Sequence, residues 1–108
     1  MLLIATAARI NLFQGNTMAH YFAPHSQEWF AALETFNPIQ AAHTRTIIER
    51  AKNSNVCSVC GDQPAADYKL VHPIPANEAI ATIRLCDDCR LLRETSGESF
   101  MPFQSASV

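Results

Sequence analysis

The spacing of apolar and polar positions divides the chain into two textures. From Ser26 to Phe36 the apolar residues recur at helical spacing, with Trp29, Leu33 and Phe36 at i, i+4 and i+7 on one face. Ser26 stands where a side-chain oxygen caps free N–H groups, and Glu28 falls in the first turn, where negative charge is favoured. Asn37-Pro38 then ends one helix and starts another. Asn37 is a cap, and Pro38 suits a first helical position because its missing N–H has no helical partner there anyway. The second helix is predicted to run to about Lys52. Ile39, Ala42, Thr46 and Ile47 form its packing side, with Arg45, Glu49 and Arg50 toward the other. Asn53-Ser54-Asn55 is its exit.

From Val56 onward the helical period is lost. Cys57-Ser58-Val59-Cys60-Gly61-Asp62 reads as a tight turn. Tyr68 to His72 and Ala79 to Leu85 read as strands rich in β-branched residues, among them Val71, Ile80, Thr82 and Ile83. Pro73 and Pro75 deny ladder hydrogen bonds, so the stretch between the strands is a loop. Cys86 to Glu94 reads as a helix, with Asp87 and Asp88 in its first turn and Gly97 placed to close it. The tail, residues 98–108, carries Phe100, Pro102 and Phe103, and part of it is expected to lie back on the core.

The first residues are ambiguous. Leu2, Leu3 and Ile4 are apolar, but a basic region followed by a longer apolar core, the mark of a secretory signal, is missing. The chain therefore reads as cytoplasmic. Residues 1–17 read either as an extension upstream of Met18 or as a short strand from Leu2 to Ala5. No run approaches the ~20 apolar residues that a membrane-spanning helix requires. The organisation expected is an extension over 1–17, a helical segment over 18–55, a metal module over 56–97 and a tail over 98–108.

At 108 residues the chain fits one small domain, or a compact module with an ordered arm, with a thin stability margin, and its net charge is −2. The part from Val56 onward sets Lys69, Arg84, Arg90 and Arg93 against seven acidic residues, from Asp62 to Glu98. Four thiolates bound to a divalent ion make the total more negative still. A nucleic-acid binder presents a basic face, so the balance disfavours that class.

All four cysteines lie in two Cys-x-x-Cys pairs, Cys57/Cys60 and Cys86/Cys89, with 25 residues between the pairs. A two-residue spacer lets one turn aim both sulfurs at a single point, and two such pairs complete a zinc tetrahedron. Gly61 suits the sharp turn after the first pair, and the second pair opens a helix whose N–H groups favour thiolates. Structural Zn²⁺ is the reading that follows. Iron of the rubredoxin kind uses two glycine-bearing knuckles, whereas Cys89 is followed by Arg90 and a helix. Disulfides do not suit a cytoplasmic chain, and a catalytic dithiol needs one pair only.

The order of knuckle, hairpin and helix resembles the treble-clef class of zinc fingers, through Cys57-x-x-Cys60-Gly61 and Leu85-Cys86-Asp-Asp-Cys89-Arg90-Leu91-Leu92. The second string is similar to zinc-binding segments of the Clp unfoldase ATPase and of the DksA/TraR regulators. The first resembles the opening knuckle of nuclear-receptor fingers. The likeness covers roughly residues 56–95 and implies a fold and a ligand set, since this class serves many functions. Leu70-Val71-His72-Pro73-x-Pro75-x-Asn77 resembles the histidine-bearing hairpin of HNH nucleases. Val71 replaces the expected acidic residue and Arg93 stands where a further metal ligand belongs. His72 then reads as a strand-end histidine or a donor to a thiolate, and His20, His25 and His43 as surface or capping residues. The expected protein is α+β and non-catalytic, with another protein as partner. Nucleic-acid binding and a degenerate nuclease are the alternatives.

Overall fold

The computed structural model describes residues 21–104, so the expectations for residues 1–17 lie outside the described residues. The fold is α+β: three helices and a three-stranded antiparallel sheet among the described residues. Helix α1 spans Gln27–Phe36, and Ser26 caps it by accepting the Trp29 N–H. Helix α2 spans Pro38–Ala51; Asn37 accepts the Gln40 N–H, and Lys52 closes the helix with φ +53°. Both caps stand where their side chains led us to expect them. Among the described residues no helix is long and apolar enough to cross a membrane.

Helix α1 buries the face its apolar spacing implies except at its end, whereas α2 packs on a different side from the expected one. Trp29, Phe30 and Leu33 are buried, but Phe36 is 57% exposed at the end of α1. On α2, Ile39 is 82% exposed, and Ala42 and Thr46 face solvent. The buried positions are Ala41 and Thr44, with Ile48 packed against the helical cluster. The reason is polar: the Thr44 hydroxyl donates to the Ser58 carbonyl at 2.9 Å, which turns this side of α2 inward.

Strand β1 spans Ala65–His72, β2 spans Thr82–Cys86 and β3 spans Ser99–Pro102, in the order β2-β1-β3. β1 begins earlier than expected, because its first residues pair Ala65 with Cys86 and Ala66 with Leu85. β2 begins later, because Asn77 caps a short 3-10 turn over Glu78–Ile80 and holds those residues out of the ladder. The tail does lie back on the fold, as the edge strand β3, with Phe100 opposite Leu70 and Pro102 opposite Tyr68. Helix α3, Asp87–Thr95, follows β2 without a break, and Gly97 lies just beyond it at φ +106°.

Two separate apolar clusters result. One is helical: Trp29, Phe30, Leu33 and Ala41, with Phe22, Ile48 and Ile80 against them. The other belongs to the sheet and the knuckle: Cys57, Leu85 and Cys86, with Tyr68, Ile83 and Phe100 among its neighbours. Between them runs a polar seam. The buried polar residues Thr44, Ser58 and Thr82 all take part in it, each hydrogen-bonded. The Trp29 indole N–H also crosses the seam, donating to the Thr82 carbonyl at 2.8 Å.

Candidate metal centre

The segment Val56–Asp62 folds as a knuckle whose own backbone closes it. The Gly61 N–H donates to the Cys57 carbonyl at 3.0 Å, and the Cys57 N–H donates to the Asp62 carbonyl at 2.9 Å. Gly61 sits at φ +84°, where a side chain is strained, and a Cβ there would stand 3.1 Å from Ile47 Cγ2. The second pair lies at the junction of β2 and α3. Cys86 is the N-cap of α3, accepting the Cys89 N–H on its own sulfur at 3.5 Å. The β1–β2 ladder sets Cys86 opposite Ala65, shortly after the knuckle, and so carries the second pair to the first.

All four sulfurs lie within 4.8 Å of one another. Four sulfurs about 2.3 Å from one ion in a tetrahedron stand about 3.8 Å apart. The Cys60 and Cys86 sulfurs are 3.6 Å apart, close to that spacing and far beyond a disulfide bond. Cys57 and Cys86 are buried, Cys89 is half-buried and Cys60 is exposed on one side. The cluster can hold a metal ion.

The thiol chemistry fits a cation. Burial pushes the Cys57 thiol up, but the N–H groups of Cys60, Cys86 and Val59 outweigh it and bring it down to about 7. Burial pushes Cys60 up to about 11, helped by the neighbouring thiols of Cys86 and Cys57. Burial likewise raises Cys89, with Cys60, Cys86 and Cys57 adding to it. One thiolate thus forms easily, while burial and then the neighbouring thiols hold protons on Cys60 and Cys89. A divalent ion among the sulfurs reverses that balance, because its charge compensates every thiolate at once.

Around the cluster the knuckle is fastened to the helices. The His25 Nδ1 lies 2.8 Å from the Ser54 carbonyl, and its Nε2 lies 2.7 Å from the Ser58 hydroxyl. A carbonyl only accepts, so Nδ1 carries the proton, and in the neutral ring Nε2 accepts from Ser58. Burial lowers the His25 pKa, in keeping with that neutral ring. The Ser58 hydroxyl also accepts the Arg84 N–H at 3.1 Å, and the Ser58 N–H donates to the Arg84 carbonyl at 2.7 Å. His43 Nε2 donates to the Val59 carbonyl at 2.9 Å. His25 and His43 are therefore ties to the knuckle; His43 lies on the surface as expected, whereas the half-buried His25 is neither a surface nor a capping residue. Their partners lie 33 and 16 residues away, so no local pattern marks them.

The HNH-like residues do not join the cysteine cluster. His72 ends β1, at the other end of the strand from Ala65 and thus about 23 Å from the cysteines along it, too far to donate to a thiolate. The Asn77 amide oxygen accepts the Ala79 N–H, and the Arg93 guanidinium makes two bonds to Glu98, the shorter 2.6 Å. No family model, curated protein or solved structure matches the chain.

Proposed function

We propose that Cys57, Cys60, Cys86 and Cys89 hold one structural zinc ion, and that the chain is a treble-clef module that binds another protein and catalyses nothing. The convergence of four sulfurs within 4.8 Å carries this reading. Four protein ligands fill a zinc tetrahedron and leave no position for a reactive water, which is the arrangement of a structural site. Knuckle, β1, β2 and α3 follow one another in treble-clef order, with the second pair on a helix start. That asymmetry favours zinc over a two-knuckle iron site. Thiolate ligation of this kind suits a reducing compartment, and we assign the chain to the cytoplasm.

Three observations favour a protein partner over nucleic acid. Arg84 is paired with Asp67 at 2.6 Å, Arg90 with Glu94 at 3.1 Å and Arg93 with Glu98 at 2.6 Å. These three arginines of the metal module are thus already ion-paired. Phe36 and Ile39, by contrast, are exposed, and Phe36 lines an apolar groove of about 290 Å³ between α1 and the sheet. Large exposed apolar side chains next to a groove are a feature of protein-binding surfaces.

The test is retention on the immobilised, zinc-loaded chain. A protein partner is expected to be held at high salt and released by chelation. Retention of DNA or RNA that falls steeply with salt would replace this reading with the nucleic-acid one. A clean monomer that captures no protein would contradict it.

A further inference from the structure

Ser58 occupies a singular place: it lies inside the first Cys-x-x-Cys pair, is fully buried, and is the residue on which α1, α2 and β2 converge. Its hydroxyl joins His25, just ahead of α1, to the Arg84 N–H in β2. Its carbonyl takes the Thr44 hydroxyl of α2, and its N–H is taken by the Arg84 carbonyl. The neighbouring Val59 carbonyl is taken by His43, and Gly61 lies under Ile47. Every one of these ties ends on backbone or side chain whose position the knuckle fixes.

The groove lies where the two apolar clusters come side by side without merging. Trp29, Leu33 and Phe36 line it from α1, and Leu70, Ile83 and Phe100 from the sheet. Its existence therefore depends on how the helical pair is docked, and the docking runs through the polar seam. Polar networks of this kind are strong when every member is satisfied and weak when one member moves.

We propose that metal binding by the four cysteines locks the α1–α2 pair onto the sheet through Ser58, so that the apolar groove is present in the metal-loaded chain and lost when the metal leaves. This inference rests on the metal centre proposed above. Without the ion nothing joins Cys57 and Cys60 to Cys86 and Cys89, the knuckle loses its anchor to the start of α3, and the Ser58 hydroxyl and carbonyl leave the positions that His25 and Thr44 require. The rival arrangement is a helical pair held by its own apolar cluster, indifferent to the metal.

Trp29 is the chain's only tryptophan, it lines the groove, and its indole N–H crosses the seam, so its emission reports the docking directly. The experiment follows zinc content, Trp29 emission and amide exchange over residues 27–51 as a chelator is added to the zinc-loaded full chain. The expected result is that emission shifts red toward that of the urea-unfolded chain, and protection in α1 and α2 is lost in step with the zinc. Zinc that leaves while emission and protection over 27–51 stay unchanged overturns the coupling and spares the centre. A wild-type chain that takes up no zinc overturns the centre itself and this inference with it. Two variants test the route. Ser58→Ala is expected to retain one zinc per chain yet lose protection in both helices. Thr44→Val, close in shape and outside the knuckle, is expected to do so in α2 alone. If both variants keep wild-type protection with zinc bound, Ser58 is not the link.

Discussion

Replacing Gly61 by alanine loads two separable strains onto the knuckle. The backbone there sits at φ +84°, and an L-residue forced into that region costs about 1–2 kcal/mol. The new Cβ also meets Ile47 Cγ2 at 3.1 Å, so Ile47 must yield, and overpacking of this sort costs about 1 kcal/mol or more. Together the two terms amount to about 2–3 kcal/mol. Because the strain falls on the turn that aims Cys57 and Cys60, it should appear in the metal affinity as a roughly 30- to 150-fold loss at about 1.4 kcal/mol per decade. Gly97→Ala is the matched control: φ is +106°, but nothing lies within 4 Å of the added methyl, and the residue follows α3 away from the sulfurs. The assay is zinc competition against a chromophoric chelator, paired with urea unfolding followed at Trp29 under excess zinc. Gly61→Ala should lose affinity and lower the unfolding midpoint, whereas Gly97→Ala should lower the midpoint alone. Ile47→Ala in the Gly61→Ala background should restore the contact part and leave the backbone part. Wild-type zinc affinity in Gly61→Ala, or an equal loss in Gly97→Ala, would refute the reasoning.

Two further outcomes follow from single side chains. Leu85 is fully buried beside the cysteines, and Leu85→Ala should destabilise the zinc-loaded chain by about 2–5 kcal/mol in urea unfolding; a loss below 1 kcal/mol (roughly that of a surface change) would contradict its place in the core. His25 has its pKa lowered below the ordinary 6.5 by burial, so the unfolded chain takes up the proton first. Its contribution is therefore fully present above pH 6.5 and is lost as pH falls through the lower, folded-state value. The stability difference between wild type and His25→Ala should shrink over that range, and parallel curves would show that folding does not lower the His25 pKa.

What could be read from the sequence is what depends on neighbours in the chain. Ser26 and Asn37 cap their helices by reaching N–H groups three residues on, and each Cys-x-x-Cys pair is a local turn. The packing side of α2 was not legible, because Thr44, a polar residue, faces inward to meet Ser58 while Ile39 faces water. An apolar pattern assigns those two positions the other way round. The strand β3 contains Ser99 and Pro102 and gains its order only by pairing with β1. Within 79–85, β-branched residues favour a strand, yet the Asn77 cap withholds Ala79 and Ile80 for a 3-10 turn. The seam is the extreme case. His25, Thr44, Ser58 and Thr82 look like unremarkable polar residues until the fold brings them together.

The central claim is one ion held by four sulfurs, and zinc content by mass spectrometry tests it most directly. The measurement compares the purified full chain with Cys57→Ser, Cys60→Ser, Cys86→Ser and Cys89→Ser after gel filtration. The account predicts one zinc per wild-type chain, bound with the roughly 10–16 kcal/mol typical of structural sites, and a loss of zinc in every variant. Less than one zinc in the wild type, or a variant that keeps its full complement, would contradict it.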